Sequence, residues 1–225
     1  MTKPLAPLLA FLNSLSANNN KPWFEEHRAD YEAARGALEN FVDGLIDELR
    51  VADKLDDLSA KSCIGRINRD VRFSRDKSPY KTSLGAAIAP GGRKSVRLGY
   101  HLYLAPQGGS LLGGGLYMPE PAQLQRFRQA VAADAAPFRK LIKAKALVEQ
   151  FGGVSGERLK TAPQGFTRDH PAIDLLQLKQ VIVVRHFADA EVLAPDFAET
   201  VLAGCRAMKP FLAYLDRVLV ARAEG

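Results

Sequence analysis

The stretch TSLGAAIAPGGRKSVRLGYHLYLAPQGGSLLGGGLY (residues 82–117) decides the fold class. Residues 82–89 read as a strand ended by Pro90-Gly91-Gly92, and residues 96–104 as another ended by Pro106-Gln107-Gly108-Gly109. Residues 110–117 read as a glycine-rich third. Short strands this close together, joined by turn-forming residues, favour an antiparallel meander over βαβ units. Within residues 96–104, Leu102 and Leu104 alternate with His101 and Tyr103, so the two pairs point to opposite faces of a strand. Upstream, residues 63–73 read as a preceding strand, and the β-branched run 181–184 reads as a late strand that joins the sheet.

Helical patterns bracket this region. Leu5, Leu8, Leu9, Leu12 and Leu15 recur at helical spacing, and Asn18-Asn19-Asn20-Lys21-Pro22 supplies a cap and a first-turn proline for a long helix over residues 22–50. Phe24, Tyr31, Leu38 and Leu45 lie seven apart along it, with Ala34, Phe41 and Leu49 between them. Gly36 and Gly44 weaken that helix and allow close packing. After Met118-Pro119-Glu120-Pro121, Leu124, Phe127 and Val131 mark one helix. Phe138, Leu141, Ile142 and Val148 mark another, stopped by Gly152-Gly153. A short helix follows Pro171, and one or two helices, kinked at Pro210, run from about Pro195 to Ala221. The expected fold class is therefore α+β: a mainly antiparallel meander sheet of about five strands flanked by helices, with helical N- and C-terminal regions.

The 225 residues suit a single domain, residues 1–225, with no internal repeat or linker. A chain of this length buries roughly 70% of its unfolded surface and needs neither disulfide nor metal to hold a core. Cys63 and Cys205 have no CxxC partner or Cys/His cluster, which speaks against a zinc site or disulfide framework and for two buried thiols in a reducing compartment. Pro4 and Pro7 interrupt the first apolar stretch, which reads as an amphipathic helix and not as a secretory leader. No run reaches the roughly 18 to 20 apolar residues of a membrane span, so a cytoplasmic location and no membrane partner are expected. Lys and Arg exceed Asp and Glu by 31 to 25, a net charge of +6. That charge favours a mild attraction to anions without by itself indicating nucleic acid.

Much of this charge sits in RINRDVRFSRDKSPYK (residues 66–81). Six cations, Arg66, Arg69, Arg72, Arg75, Lys77 and Lys81, are punctuated there by Asp70 and Asp76. Read as a strand, the segment places Ile67, Arg69, Val71 and Phe73 on one face and Arg66, Asn68, Asp70 and Arg72 on the other. A turn at Ser78-Pro79 brings further cations to the strand end. Guanidinium groups grip carboxylate or phosphate through paired N–H bonds, and Asp70 would orient them. His101 and Tyr103, with Tyr80, would complete the pocket if they share that face. The candidate anion site is thus Arg66, Arg69, Asp70, Arg72, Arg75, Asp76, Lys77, Tyr80, Lys81, His101 and Tyr103. The competing reading is a solvated ladder of salt bridges on an exposed face.

Other motifs exclude more than they suggest. The glycines at 108–109 and 113–115 fit neither a Walker loop nor GxGxxG before a helix, and read as sites of close backbone approach. Trp23 reads as a packing residue. His170 beside Asp169 is a weak acid/base hint, and His186 at a strand end says little. No GxSxG elbow and no HExxH is present, and no cofactor or metal is expected.

Five segments carry a resemblance: NNNKPWFEEHRADY (18–31), RDVRFSRDKSPYKTSLG (69–85), GYHLYLAPQGGSLLGGGLYMPE (99–120), GFTRDHP (165–171) and AMKPFL (207–212). Together they resemble the conserved bacterial and fungal family known as domain of unknown function 2461. The resemblance implies a stand-alone domain whose signature includes Arg69, Asp70, Arg72, Phe73, Asp76, Lys77, Pro79, Tyr80 and Lys81. It brings no activity, cofactor or catalytic residue with it. Asn68 stands where the family pattern implies an aromatic residue, so the ligand shape accepted here would differ from that in relatives.

The leading functional expectation is binding of a small phosphorylated or carboxylated anion. A phosphoester hydrolase or transferase, with Asp70 and Asp76 holding a divalent metal beside the arginines, is the alternative. Nucleic-acid binding through a basic face is a third reading, which the absence of RNP-like aromatics and of a helix-turn-helix pattern disfavours. Oligomeric state is not legible in the sequence.

Overall fold

In the computed structural model the described residues are 3–220. Helix α1 (Ala6–Ala17) begins with Pro7 in its first turn and buries Leu8, Leu9, Leu12 and Leu15, with Leu5 just ahead of it also buried. Burial of each leucine contributes about 2 kcal/mol. Asn20 caps α2 (Lys21–Glu26), its side chain accepting from the backbone N–H of Trp23. The long helix expected over 22–50 is broken. His27 takes φ −104° and ψ 24° between α2 and α3 (Arg28–Asp53), and its ring stacks on Trp23 at 4.1 Å. The seven-residue spacing of Phe24 and Tyr31 crosses this break unaltered, because both rings meet in one aromatic cluster with Phe11. A Cβ at Gly36 or Gly44 would meet nothing within 4 Å, so neither glycine serves the close packing expected of it.

A short turn of helix, α4 (Ala60–Cys63), occupies the start of the segment expected to be a strand. Strands β1 (Leu84–Ile88), β2 (Tyr100–Leu104) and β3 (Ser110–Leu116) follow, and a 3-10 turn at Gly92–Lys94 lies between the first two. The tight connection from β2 to β3 has positive φ at Gln107 and Gly108, whose N–H groups both donate to the Asp189 carboxylate. Four helices come next: α5 (Pro121–Ala133), α6 (Ala136–Ile142), α7 (Lys145–Phe151) and α8 (Ile173–Leu176). The single helix expected through Phe138 and Val148 is thus two. The buried positions of α7 are Leu147 and Phe151, while Val148 faces out. Strand β4 (Val181–Phe187), helix α9 (Asp189–Val192) and helix α10 (Phe197–Val220) complete the chain. Helix α10 passes through Pro210 as one element; Ala221, where it was expected to end, lies outside the described residues.

The protein is α+β, with a four-stranded antiparallel meander in the order β1-β2-β3-β4, flanked by helices and helical towards both ends. The strand count is four because residues 63–73 make only isolated bridges, Ile64 to Ala86 and Asn68 to Tyr80. Residues fall into two compact units. One holds the chain up to Val96, Tyr100–Leu112 and His186–Leu202, and the other holds Arg97–Gly99, Gly113–Arg185 and the chain from Ala203.

In the first unit α1 packs on α3, which buries Leu38, Val42, Leu45, Ile46 and Leu49. Phe41 and Phe187 both pack on Phe197. In the second unit Phe138 gathers Phe127, Phe211 and Tyr214 at 5.1 to 6.0 Å. The glycines of β3 act there as expected. A Cβ on Gly113 would lie 2.8 Å from the Val183 carbonyl oxygen, and one on Gly115, at φ +118°, would lie 2.2 Å from that of Val181. His170 accepts the N–H of Ala172 through Nδ1, so it caps the entry to α8. Both cysteines are buried and carry no disulfide.

Candidate functional site: a cationic recess on the open face of β1 and β2

Strands β1 and β2 pair with Leu84 opposite Leu104, Gly85 opposite Tyr103, Ala86 opposite Leu102, Ala87 opposite His101 and Ile88 opposite Tyr100. Alternation assigns the faces. Leu84, Ala86, Ile88, Tyr100, Leu102 and Leu104 are buried, whereas His101 and Tyr103 stand on the open side. Opposite these two long side chains β1 offers only Gly85 and Ala87. A recess results, walled by His101 and Tyr103 and floored by residues with almost no side chain. Gly85 is required, since a Cβ there would meet the Leu102 carbonyl oxygen at 2.7 Å. Gly65 extends the floor, its N–H donating to the Gly85 carbonyl at 3.1 Å.

Arg66, Lys81 and Arg93 rim this hollow, whose volume is about 260 Å³, together with Ser83 and the buried Cys63. No carboxylate lines it. Arg66 and Lys81 form no ion pair among the described residues, and Arg93 donates to the Ile64 carbonyl at 2.7 Å. Arg93 is set by Gly92, which has φ +65° and lies so close to Ser62 that no side chain fits. The Ser83 hydroxyl donates to the Tyr103 phenol oxygen. The His101 ring has exposed surface, yet the crowding of protein atoms around it desolvates the imidazolium and lowers its pKa. Desolvation likewise pushes the Cys63 thiol up.

The basic segment approaches this hollow as a loop, not as the strand expected from its alternation. Ile67 and Tyr80 are its buried anchors. Lys81 donates its N–H to the Ile67 carbonyl at 2.8 Å, and Arg69 donates to Pro79 at 2.9 Å. The ring of Tyr80 stacks on Phe24 at 4.0 Å, and its backbone is gripped at both ends by the Asn19 side chain. Beyond these anchors the carboxylates turn on their own chain. Asp70 accepts from the Arg72 side chain and N–H, and Asp76 from the Ser78 hydroxyl and N–H and from Arg69. Such local side-chain bonds compete with a strand ladder, which is why the alternation fails. They also depress both carboxyls: the Arg72 guanidinium holds Asp70 down, and the Ser78 hydroxyl, ahead of Arg69, holds Asp76 far below the usual range. Phe73, expected on the core face, is 95% exposed at the tip.

Of the residues expected to form one site, Arg66, Lys81, His101 and Tyr103 line the recess. Arg69, Asp76 and Tyr80 line a second hollow of about 580 Å³, which shares Lys81, Ser83 and Tyr103 with the first. Asp70, Arg72, Arg75 and Lys77 line neither; Lys77 donates to the Val71 carbonyl instead. Arg93 and Ser83 were not anticipated. The signal for Arg93 is the Gly91-Gly92 doublet before it, which in the sequence reads only as a strand stop. Among the described residues no group of three or more His, Cys, Asp or Glu side chains could hold a metal ion.

Fold and recess together define an α+β protein with a cationic hollow on the open face of its meander. The family described as Conserved hypothetical protein (DUF2461) matches residues 7–214, and the chain belongs to it. No curated protein and no solved structure matches the chain.

Proposed function

We propose that the protein binds a small phosphorylated or carboxylated ligand in the recess between β1, β2 and the basic loop. The observation that carries this reading is a hollow rimmed by Arg66, Lys81 and Arg93 and lined by no carboxylate. Unpaired cations over a backbone floor favour an anion, and guanidinium groups suit the planar or tetrahedral oxygens of carboxylate and phosphate. His101 gains a proton more readily with an anion beside it, and Tyr103, whose oxygen accepts from Ser83, keeps its phenol O–H for the ligand. Arg72, Arg75 and Lys77 contribute at most a general attraction, and Asp70 none, since their side chains lie outside the hollow.

Calorimetric titration with inorganic phosphate and with citrate tests the reading. Arg66→Ala and Arg93→Ala should each weaken binding by at least tenfold, and Arg72→Ala should not. If neither anion binds the unaltered chain, the reading fails. Metal-assisted phosphoester chemistry has less support, because Asp70 and Asp76 are each engaged by groups of their own loop. Action as one domain in the cytoplasm belongs to the proposal, supported by two thiols that carry no disulfide. Among the described residues no helix is long and apolar enough to cross a membrane.

A further inference from the structure

We infer that the ligand is a phosphorylated sugar or polyol that lies across both hollows, its phosphate in the recess and its hydroxylated body in the second hollow. This rests on the anion-binding reading and narrows it to a substrate class.

The two hollows share Lys81, Ser83 and Tyr103, so they adjoin at the Ser83–Tyr103 hydrogen bond, where one ligand can reach both. Their chemistry differs in kind. In the recess the cations have no carboxylate among them. In the second hollow Arg69 is already neutralised by Asp76. An anionic group meets Arg66, Lys81 and Arg93 with no carboxylate in the first hollow, against Lys81 and an Arg69–Asp76 pair in the second, and this difference sets the direction in which a bipartite ligand lies.

The second hollow also has a lining suited to a polyol. Thr82 presents a hydroxyl there, and the Ser16 and Ser78 hydroxyls, which donate to Asn13 and Asp76, and the Asp76 carboxylate, which accepts from Ser78 and Arg69, keep lone pairs that accept from O–H donors. No aliphatic residue lines it, and its Tyr80 ring is committed to Phe24. An acyl chain would find only the Tyr103 ring to cover it there, whereas the hydroxyls of a sugar meet polar groups over most of the lining. The volumes agree in order: about 260 Å³ for the phosphate end and about 580 Å³ for the body.

The test is calorimetric titration of the full chain with glucose 6-phosphate, ribose 5-phosphate, inositol 1-phosphate, inorganic phosphate, glucose and adenosine monophosphate. At least one of the three phosphorylated polyols should bind ten times or more tightly than inorganic phosphate, and glucose should bind far more weakly than either. Thr82→Val removes one exposed hydroxyl with little change of shape. It should weaken the preferred phosphorylated polyol by about 2- to 10-fold, the loss expected for one hydrogen bond, while leaving inorganic phosphate unchanged. Arg93→Ala should weaken both. If inorganic phosphate binds as tightly as every phosphorylated polyol, if adenosine monophosphate binds tightest, or if Thr82→Val weakens all ligands alike, the inference is overturned while anion binding stands. If no phosphate compound binds, the inference falls, and anion binding falls with it only if citrate also fails to bind.

Discussion

A Cβ built on Gly92 would lie 2.7 Å from the carbonyl oxygen of Ser62, and Gly92 holds φ at +65°. The chain from α4 and the chain leaving β1 thus pass in direct backbone contact, and the contact aims Arg93 at the recess. Gly92→Ala adds both a left-handed strain and a clash that backbone cannot relieve, for a loss of about 1–3 kcal/mol or more. Gly108→Ala, at φ +72° with nothing within 4 Å, meets only the strain and should lose about 1 kcal/mol. Urea midpoints of the two variants compare them, and an equal loss would show that the clash has no effect.

Gly36 and Gly44 should behave in the opposite way. Each sits inside α3 with room for a methyl group and an ordinary helical φ. Replacement by alanine should raise stability by about 0.5–1 kcal/mol per site, because the unfolded chain loses freedom and the helix gains propensity. A fall in the thermal midpoint of either variant would contradict the open space described at these positions.

Below neutrality His101 should make the fold less stable. Desolvation lowers its folded-state pKa below the usual 6.5, so the unfolded chain takes up the proton first as pH falls. Stability is unaffected well above 6.5, declines as pH drops through it, and levels off once the folded form also protonates. Asp70 and Asp76, with depressed carboxyls, contribute only at more acid pH. His101→Gln should therefore gain in thermal midpoint relative to the unaltered chain as pH goes from about 7.5 to about 5.5. A constant difference across that range would rule out the desolvated ring.

Arg72 and Asp70 form a two-residue ion pair at the exposed loop tip. Exposed pairs lose in side-chain entropy most of what they gain in attraction. Arg72→Ala should leave the denaturation midpoint and anion affinity unchanged within error. A tenfold loss of phosphate affinity would return Arg72 to the site.

Tyr80 separates packing from recognition. Its ring is 6% exposed and stacked on Phe24. Tyr80→Ala should destabilise the fold by about 3 kcal/mol, the scale of an aromatic truncation in a core, while Tyr80→Phe should cost under about 1 kcal/mol. Phosphate titration of Tyr80→Phe should match the unaltered chain.

The sheet was legible because alternation in YHLYL (residues 100–104) and the turn residues on either side speak through local geometry alone. His101 and Tyr103 followed from the same rule. The basic loop departs from its alternation for an equally physical reason. Ile67, Val71 and Phe73 alternate as in a strand, but Asp70 and Asp76 bond their own backbone neighbours, and a pattern of apolar residues cannot report that competition. The helix break at His27 was hidden because aromatic spacing persists through it. Arg93 is not legible in the sequence because its placement depends on Ser62, 31 residues upstream and adjacent only in the fold.

The Asn19 amide pairs with both backbone groups of Tyr80 across 61 residues of chain, as a neighbouring strand would. The consequence concerns order of assembly. A ribosome delivers Asn19 long before Tyr80, so the N-terminal helices can wait as a template on which the basic loop is shaped when it arrives. Closing that long circuit is entropically slow, and the basic loop beside the recess should mature among the last events of folding, after the local helices have formed.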